Sequence, residues 1–138
     1  MLKGYKIGIV KGNDRNIGNL IGWYAMDREV IKEMDGYPIL TDSDTTWFVA
    51  HKNLEVIAFG AVKKMKNHAV MTYSFVFKSF RKKGLHKELI NRRLDWIKEQ
   101  KINLVKADCT KSSLPNMKAV GFKVIKAFQN WTKVELNL

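Results

Sequence analysis

The sequence has one cysteine, Cys109, and so cannot form an internal disulfide or a cysteine-rich zinc site. That scarcity goes with a reducing, cytoplasmic location and with no metal. Long apolar runs are absent as well. No stretch approaches the roughly eighteen residues a membrane span needs. Met1 to Lys11 alternates too strongly to be the apolar block of a signal peptide. There is no repeat, low-complexity tract or linker. At 138 residues the chain suits one domain, 1–138, with a real core, and is too short for two. Acid is scarce after residue 44: residues 45–138 hold nineteen bases and six acids, a net of +13. Residues 27–44 are the reverse, with six acids, two bases and a net of −4.

The chain as a whole carries +12. A field of that sign speeds encounter with anions, whether cofactor phosphates, nucleic acid or acidic proteins. A solvated lysine-rich surface accounts equally well for the charges outside residues 78–93. Within that span lie Lys78, Arg81, Lys82, Lys83, Lys87, Arg92 and Arg93, and a single anionic ligand would account for many of them.

Alternation and turn residues predict a first strand over Lys6–Val10 and a helix over Asn16–Glu33, ended by Gly36 and Pro38. Thr46–His51 and Val56–Lys63 read as a hairpin around Lys52-Asn53-Leu54. Lys66-Asn67-His68 turns into a strand over Ala69–Phe77. Gly84–Gln100 reads as a helix with Leu85, Leu89, Ile90, Leu94 and Ile97 on one apolar stripe. Asn103–Thr110 reads as strand, Ser113–Ala119 as a short helix capped by Ser113 and stopped by Gly121. Phe122–Phe128 and Thr132–Leu138 are two last strands around Gln129-Asn130. The fold class is α/β (α+β), a mixed sheet with an antiparallel N-terminal part and a strand–loop–helix–strand crossover. Edge strands can pair between subunits, so a homodimer stays open beside a monomer.

Between the strand ending at Phe77 and the helix lies Arg81-Lys82-Lys83-Gly84-Leu85-His86. A basic, glycine-containing turn that opens a helix is suited to phosphate. The first-turn N–H groups are unsatisfied, the helix dipole favours an anion, and glycine lets the backbone come close. A P-loop is far less apt, because the loop lacks the initial Gly and the Lys-Ser/Thr pair after the last Gly.

Val76-Phe77-Lys78-Ser79-Phe80-Arg81-Lys82-Lys83-Gly84-Leu85-His86 resembles the central motif of the GNAT acetyltransferase superfamily. That motif runs from an apolar strand end to Gln or Arg, two variable residues, Gly, one variable residue, then Gly or Ala. Arg81 and Gly84 match it, and His86 stands where Gly or Ala is usual. Gly121-Phe122 resembles the family's Gly-Phe, and the order of elements agrees over about residues 5–138. The resemblance implies acetyl-CoA as cosubstrate. Backbone N–H groups of Arg81, Lys82, Lys83, Gly84, Leu85 and His86 would hold the pyrophosphate, and the splayed strand end Phe75, Val76 and Phe77 would pair with the pantetheine arm. Solvent is the ordinary surrounding of a helix residue such as His86, although a protonated His86 would add a phosphate contact.

Two departures affect the chemistry. Met117 stands where the family often has a tyrosine acid, and Thr110 where it often has Asn; Asn116, one residue away, is a substitute for either. Val70 and Thr72 stand where a Glu or His base is often found. Transfer to an amine needs the neutral form, which costs a free lysine roughly 4–5 kcal/mol at pH 7. Candidates by strand placement are Tyr73, Ser74 and Asp108, with His51 and Cys109 behind them. On a regular strand Tyr73 and Ser74 face opposite sides, so only one can line a site. Core packing is the competing reading for Tyr73 and Cys109. The resemblance places the acceptor site near residues 20–45, where Asp35, Asp42 and Asp44 suit a cationic amine and Trp23, Tyr24, Tyr37 and Trp47 suit its walls or the core. The sequence thus reads as an acetyl-CoA-dependent N-acetyltransferase acting on a small-molecule or protein amine. The alternative is a nucleic-acid-directed GNAT-like enzyme or basic binding protein, for which no recognised nucleic-acid motif is present.

Overall fold

A seven-stranded mixed sheet, ordered β1-β2-β3-β4-β5-β7-β6, organises the chain. The computed structural model describes residues 3–18, 30, 32 and 39–138. The strands are β1 (Tyr5–Lys11), β2 (Thr45–Lys52), β3 (Glu55–Lys64), β4 (Ala69–Val76), β5 (Leu104–Cys109), β6 (Lys123–Ala127) and β7 (Thr132–Asn137). Helix α1 spans Leu85–Glu99 and α2 spans Leu114–Ala119. The first predicted helix, Asn16–Glu33, and its stop at Gly36 and Pro38 fall largely outside the described residues. Ile17, Gly18, Val30 and Lys32 are helical. No described helix is long and apolar enough to cross a membrane.

The near-continuous apolar runs of β2 and β3 make them central strands, covered on both faces. Alternation then divides each strand between two cores. Phe48, Ala50 and Ile57 meet Leu85, Leu89, Ile90 and Ile97 of α1. Trp47, Val49, Phe59 and Phe75 pack on the other face with Ile17 and Val30 from the first helical region. β1 to β4 form an antiparallel meander. The β2–β3 hairpin turns at Asn53, whose φ of 59° is left-handed, a conformation asparagine tolerates better than most residues.

Three expectations change in detail. β4 ends at Val76, and Phe77 leaves it to donate its N–H to the Ile57 carbonyl at 3.0 Å. Gly84 precedes α1 as its N-terminal flank instead of lying within it. Ser113 flanks α2, but its hydroxyl donates back to the Thr110 carbonyl at 3.2 Å and caps nothing. β6, at one edge of the sheet, is exposed along its whole length.

Candidate functional site

β4 and β5 run parallel, joined through the long α1 connection, and they pair only from Ala69↔Val105 to Met71↔Ala107. Beyond Met71 the two strands separate. The gap opens into a cleft of about 900 Å³, within the range of small-molecule sites. Ser74, Phe75 and Val76 form one wall, and Thr110, Ser113 and Asn116 the opposite one. Arg81, Lys82, Gly84, Leu85 and His86 close the end. Lys32, Lys87 and Lys111 add positive charge, and no Asp or Glu is among the described residues lining the cleft. Such a lining favours a polyanion.

The end loop is built for backbone recognition. Lys82 and Gly84 both have positive φ, 60° and 82°. Among the described residues, no acceptor meets the backbone N–H groups of Lys82 and residues 84–87. They include the free first-turn donors of α1, and left-handed residues in such turns gather N–H groups into anion-binding concavities. The Arg81 N–H is not among them, since it donates to Lys78 O at 3.3 Å. The Arg81 side chain donates from Nε to the Val76 carbonyl at 2.8 Å and lies 5.5 Å from the centre of the Phe75 ring. These contacts fix the loop against the end of β4.

A β-bulge distorts β4 beside the cleft. Phe59 faces Phe75 and Ala61 faces Thr72, so Tyr73 and Ser74 together oppose the single residue Gly60. Tyr73 has a φ of 54°, a strained value for a bulky side chain. Its ring stacks on Trp47 at 5.5 Å, and its hydroxyl accepts the Leu40 N–H at 3.2 Å. Beneath the bulge lies Arg93 of α1, fully buried. It donates to Leu89 O (3.2 Å), Ala61 O (3.3 Å), Thr72 O (3.4 Å) and Ser74 Oγ (2.7 Å). Burial pushes its guanidinium down to about 9, which leaves it protonated at neutral pH. A Cβ on Gly60 would sit 2.9 Å from the Arg93 Cζ, so a larger residue there would have to displace the guanidinium.

Arg93, although it falls in the basic span 78–93, is not one of the surface cations of the loop. Its signal was present in the spacing: Leu85, Leu89, Arg93 and Ile97 form one i, i+4 row, with an arginine in an otherwise apolar stripe. Lys78, Lys83 and Arg92 do not line the cleft, and Arg92 lies 3.6 Å from Glu88.

His86 does not face solvent as a surface helix residue would. It is half-buried, with Nδ1 3.3 Å from Asn116 Nδ2. Burial, aided by the charge of Arg93, holds its pKa down to about 4. His86 is therefore uncharged near pH 7 as the cleft stands. Of the other candidates, Ser74 and Asn116 line the cleft and Tyr73 does not. Asp108 is exposed on β5 opposite Lys133, outside the cleft. Cys109 is buried with Sγ 3.5 Å from Thr132 O, and burial raises its thiol pKa. Met117 packs in the core. Phe77 sits outside the cleft, edge-on to Phe75. His51 also lies outside it, on β2.

In the acidic region, Asp42 serves structure. It accepts from the Asp44 N–H and Thr45 Oγ at 2.9 Å each and pairs with Lys63 at 3.1 Å. These bonds, with Lys63 foremost, lower its pKa. Trp47 is fully buried, with Nε1 donating to Thr41 Oγ1 at 2.9 Å. Asp35, Trp23, Tyr24 and Tyr37 lie outside the described residues. Among the described residues, no group of three or more His, Cys, Asp or Glu is placed to hold a metal.

A parallel pair that splays beside a basic N–H-lined loop defines an acyl-CoA N-acyltransferase fold, and the comparisons agree. Residues 17–122 match the acetyltransferase (GNAT) family, and the chain belongs to it. Escherichia coli ElaA superposes with a TM-score of 0.76 at 12% identity, over 96% of this chain and 99% of that one. The ribosomal-protein-S18-alanine N-acetyltransferase of E. coli gives 0.76 at 11% identity, over 96% and 93%. A GNAT family acetyltransferase from Elizabethkingia anophelis with acetyl-CoA bound gives 0.68 at 12% identity, over 99% and 100%. No curated protein sequence matches the chain.

Proposed function

We propose that the chain is an N-acetyltransferase that uses acetyl-CoA and acts on an amine of a small molecule or a protein. The observation that carries this is the set of open N–H groups of Lys82 and residues 84–87 at the end of a cationic cleft with no acid among its described lining residues. Those donors suit a pyrophosphate, and Lys82, Lys87 and Lys111 suit the remaining phosphate charge. The wall formed by Phe75 and Val76 offers an apolar face to a pantetheine arm. The E. anophelis relative, which binds acetyl-CoA, supports the same assignment. When bound, acetyl-CoA supplies an acyl group activated as a thioester.

The described lining has no group with the basicity to take a proton from an ammonium near neutral pH. His86, held to about 4, is too weak a base. With no carboxylate among the described lining residues and His86 so weak a base, the amine would enter the cleft neutral. With lysine or a polyamine as acceptor, kcat/KM should rise about tenfold per pH unit from 6 to 9. An inflection near 6–7 would instead reveal a protein base.

Calorimetry with acetyl-CoA, followed by thiol release against a panel of amines, tests the proposal. Saturable binding and amine-dependent release are expected. No heat of binding at millimolar acetyl-CoA would reject it.

A further inference from the structure

We propose that the Ser74 hydroxyl, oriented by buried Arg93, donates the hydrogen bond that receives negative charge on the thioester carbonyl oxygen during acyl transfer. This rests on the acyltransferase reading and assigns a residue to it. Ser74 lies where β4 and β5 part, three residues beyond their last shared rung and at the opposite end of the wall from the phosphate loop. An acyl group at the far end of a ligand anchored by that loop points toward this crotch.

The local chemistry is directional. Arg93 occupies an acceptor lone pair of Ser74 Oγ at 2.7 Å. A hydroxyl has one hydrogen, and this one has no acceptor among the described residues. With one lone pair held by a cation, Ser74 keeps its hydrogen free to donate toward the cleft. The guanidinium behind it has no carboxylate partner among the described residues, so its charge is unneutralised in a dry setting, where charge acts strongly. Such a preorganised donor bonds weakly to the ground-state carbonyl and more strongly as charge develops in the transition state. The strained Tyr73 and the side-chain-free Gly60 maintain the arrangement, one by forming the bulge and the other by admitting Arg93. Arg93 is a positioning residue, because it acts through Ser74.

The step balances without further reagents. The neutral amine nitrogen uses its lone pair to form a C–N bond with the carbonyl carbon, and the carbonyl π pair moves onto oxygen. That pair returns as the C–S bond breaks, and CoA leaves as the thiolate with the bonding electrons. The nitrogen gives its surplus proton to solvent, and Ser74 keeps its own.

Ser74→Ala and Ser74→Thr test the assignment on the whole chain, using acetyl-CoA and the fastest amine of the panel. Ser74→Ala should lower kcat about 10²-fold while acetyl-CoA affinity by calorimetry stays unchanged, and Ser74→Thr should recover most of the loss. A second readout needs no acceptor. With acetyl-CoA carrying ¹³C at the carbonyl, the bound C=O stretch should lie below its solution frequency in the natural chain. It should move back toward that frequency in Ser74→Ala and return in Ser74→Thr. Equal frequencies in the natural chain and Ser74→Ala, or an unchanged kcat, would overturn the assignment and leave the acetyltransferase reading intact. A parallel loss of affinity and melting temperature, with kcat preserved, would make Ser74 structural only. A natural chain that binds no acetyl-CoA would remove both.

Discussion

Two residues of the loop lend themselves to direct test. Gly84 has a φ of 82°, and a Cβ there would meet nothing within 4 Å. Its requirement is conformational, so Gly84→Ala should cost about 1–2 kcal/mol of stability and Gly84→Asn less. Gly84→Asp keeps a small side chain but points a carboxylate at the free N–H groups, and should weaken acetyl-CoA binding by about tenfold or more. His86 governs acid stability. Its folded pKa of about 4 lies below its ordinary 6.5. Between these values the unfolded chain binds the proton first. The stability contributed by neutral His86 is therefore complete above pH 6.5 and is lost as pH falls toward 4, by roughly 3 kcal/mol in all. Melting curves from pH 7 to 4 should show the decline, and His86→Gln should flatten it.

At the level of elements, the bulge in β4 depends on a glycine one strand away. Gly60→Ala would drive a methyl into the pinned guanidinium and should destabilise the fold by about 1–3 kcal/mol, read by urea denaturation. Alternation, turn residues and the apolar stripe of α1 made most elements legible in the sequence, with ends shifted by a residue or two. The bulge was not legible, because Thr72, Tyr73 and Ser74 alternate like an ordinary strand. What makes them irregular is Arg93, nineteen residues beyond Ser74 in sequence and brought under the strand by tertiary packing. The loop could be read from Arg81 and Gly84 because its chemistry is local. The chemistry at the strand end depends on three elements at once and could not. The burial of His86 was not legible for the same reason: Asn116 and Arg93 come to it from elsewhere in the chain.

Across the whole molecule, the charge of +12 is legible in composition, but its use is not. Folding gathers Arg81, Lys82, Lys87 and Lys111 around one opening and keeps the exposed Asp108 outside it. Attraction of a multiply charged anion by such a surface is screened by salt. The association rate of acetyl-CoA, followed by stopped flow, should fall as ionic strength rises from 10 to 200 mM, with the dissociation rate changing less. A salt-independent association rate would show that the gathered charges do not steer the ligand.

The short run of rungs between β4 and β5 also divides the sheet mechanically. On one side stand β1 to β4, and on the other β5, β7 and β6; three parallel rungs form the seam between them. Three rungs and the core under α1 join the two halves, and an occupant of the cleft touches both at once. Ligand should then act as a bolt across the joint. Amide hydrogens flanking the seam should exchange together at a rate set by opening of the two halves, and occupancy of the cleft should slow all of them in step.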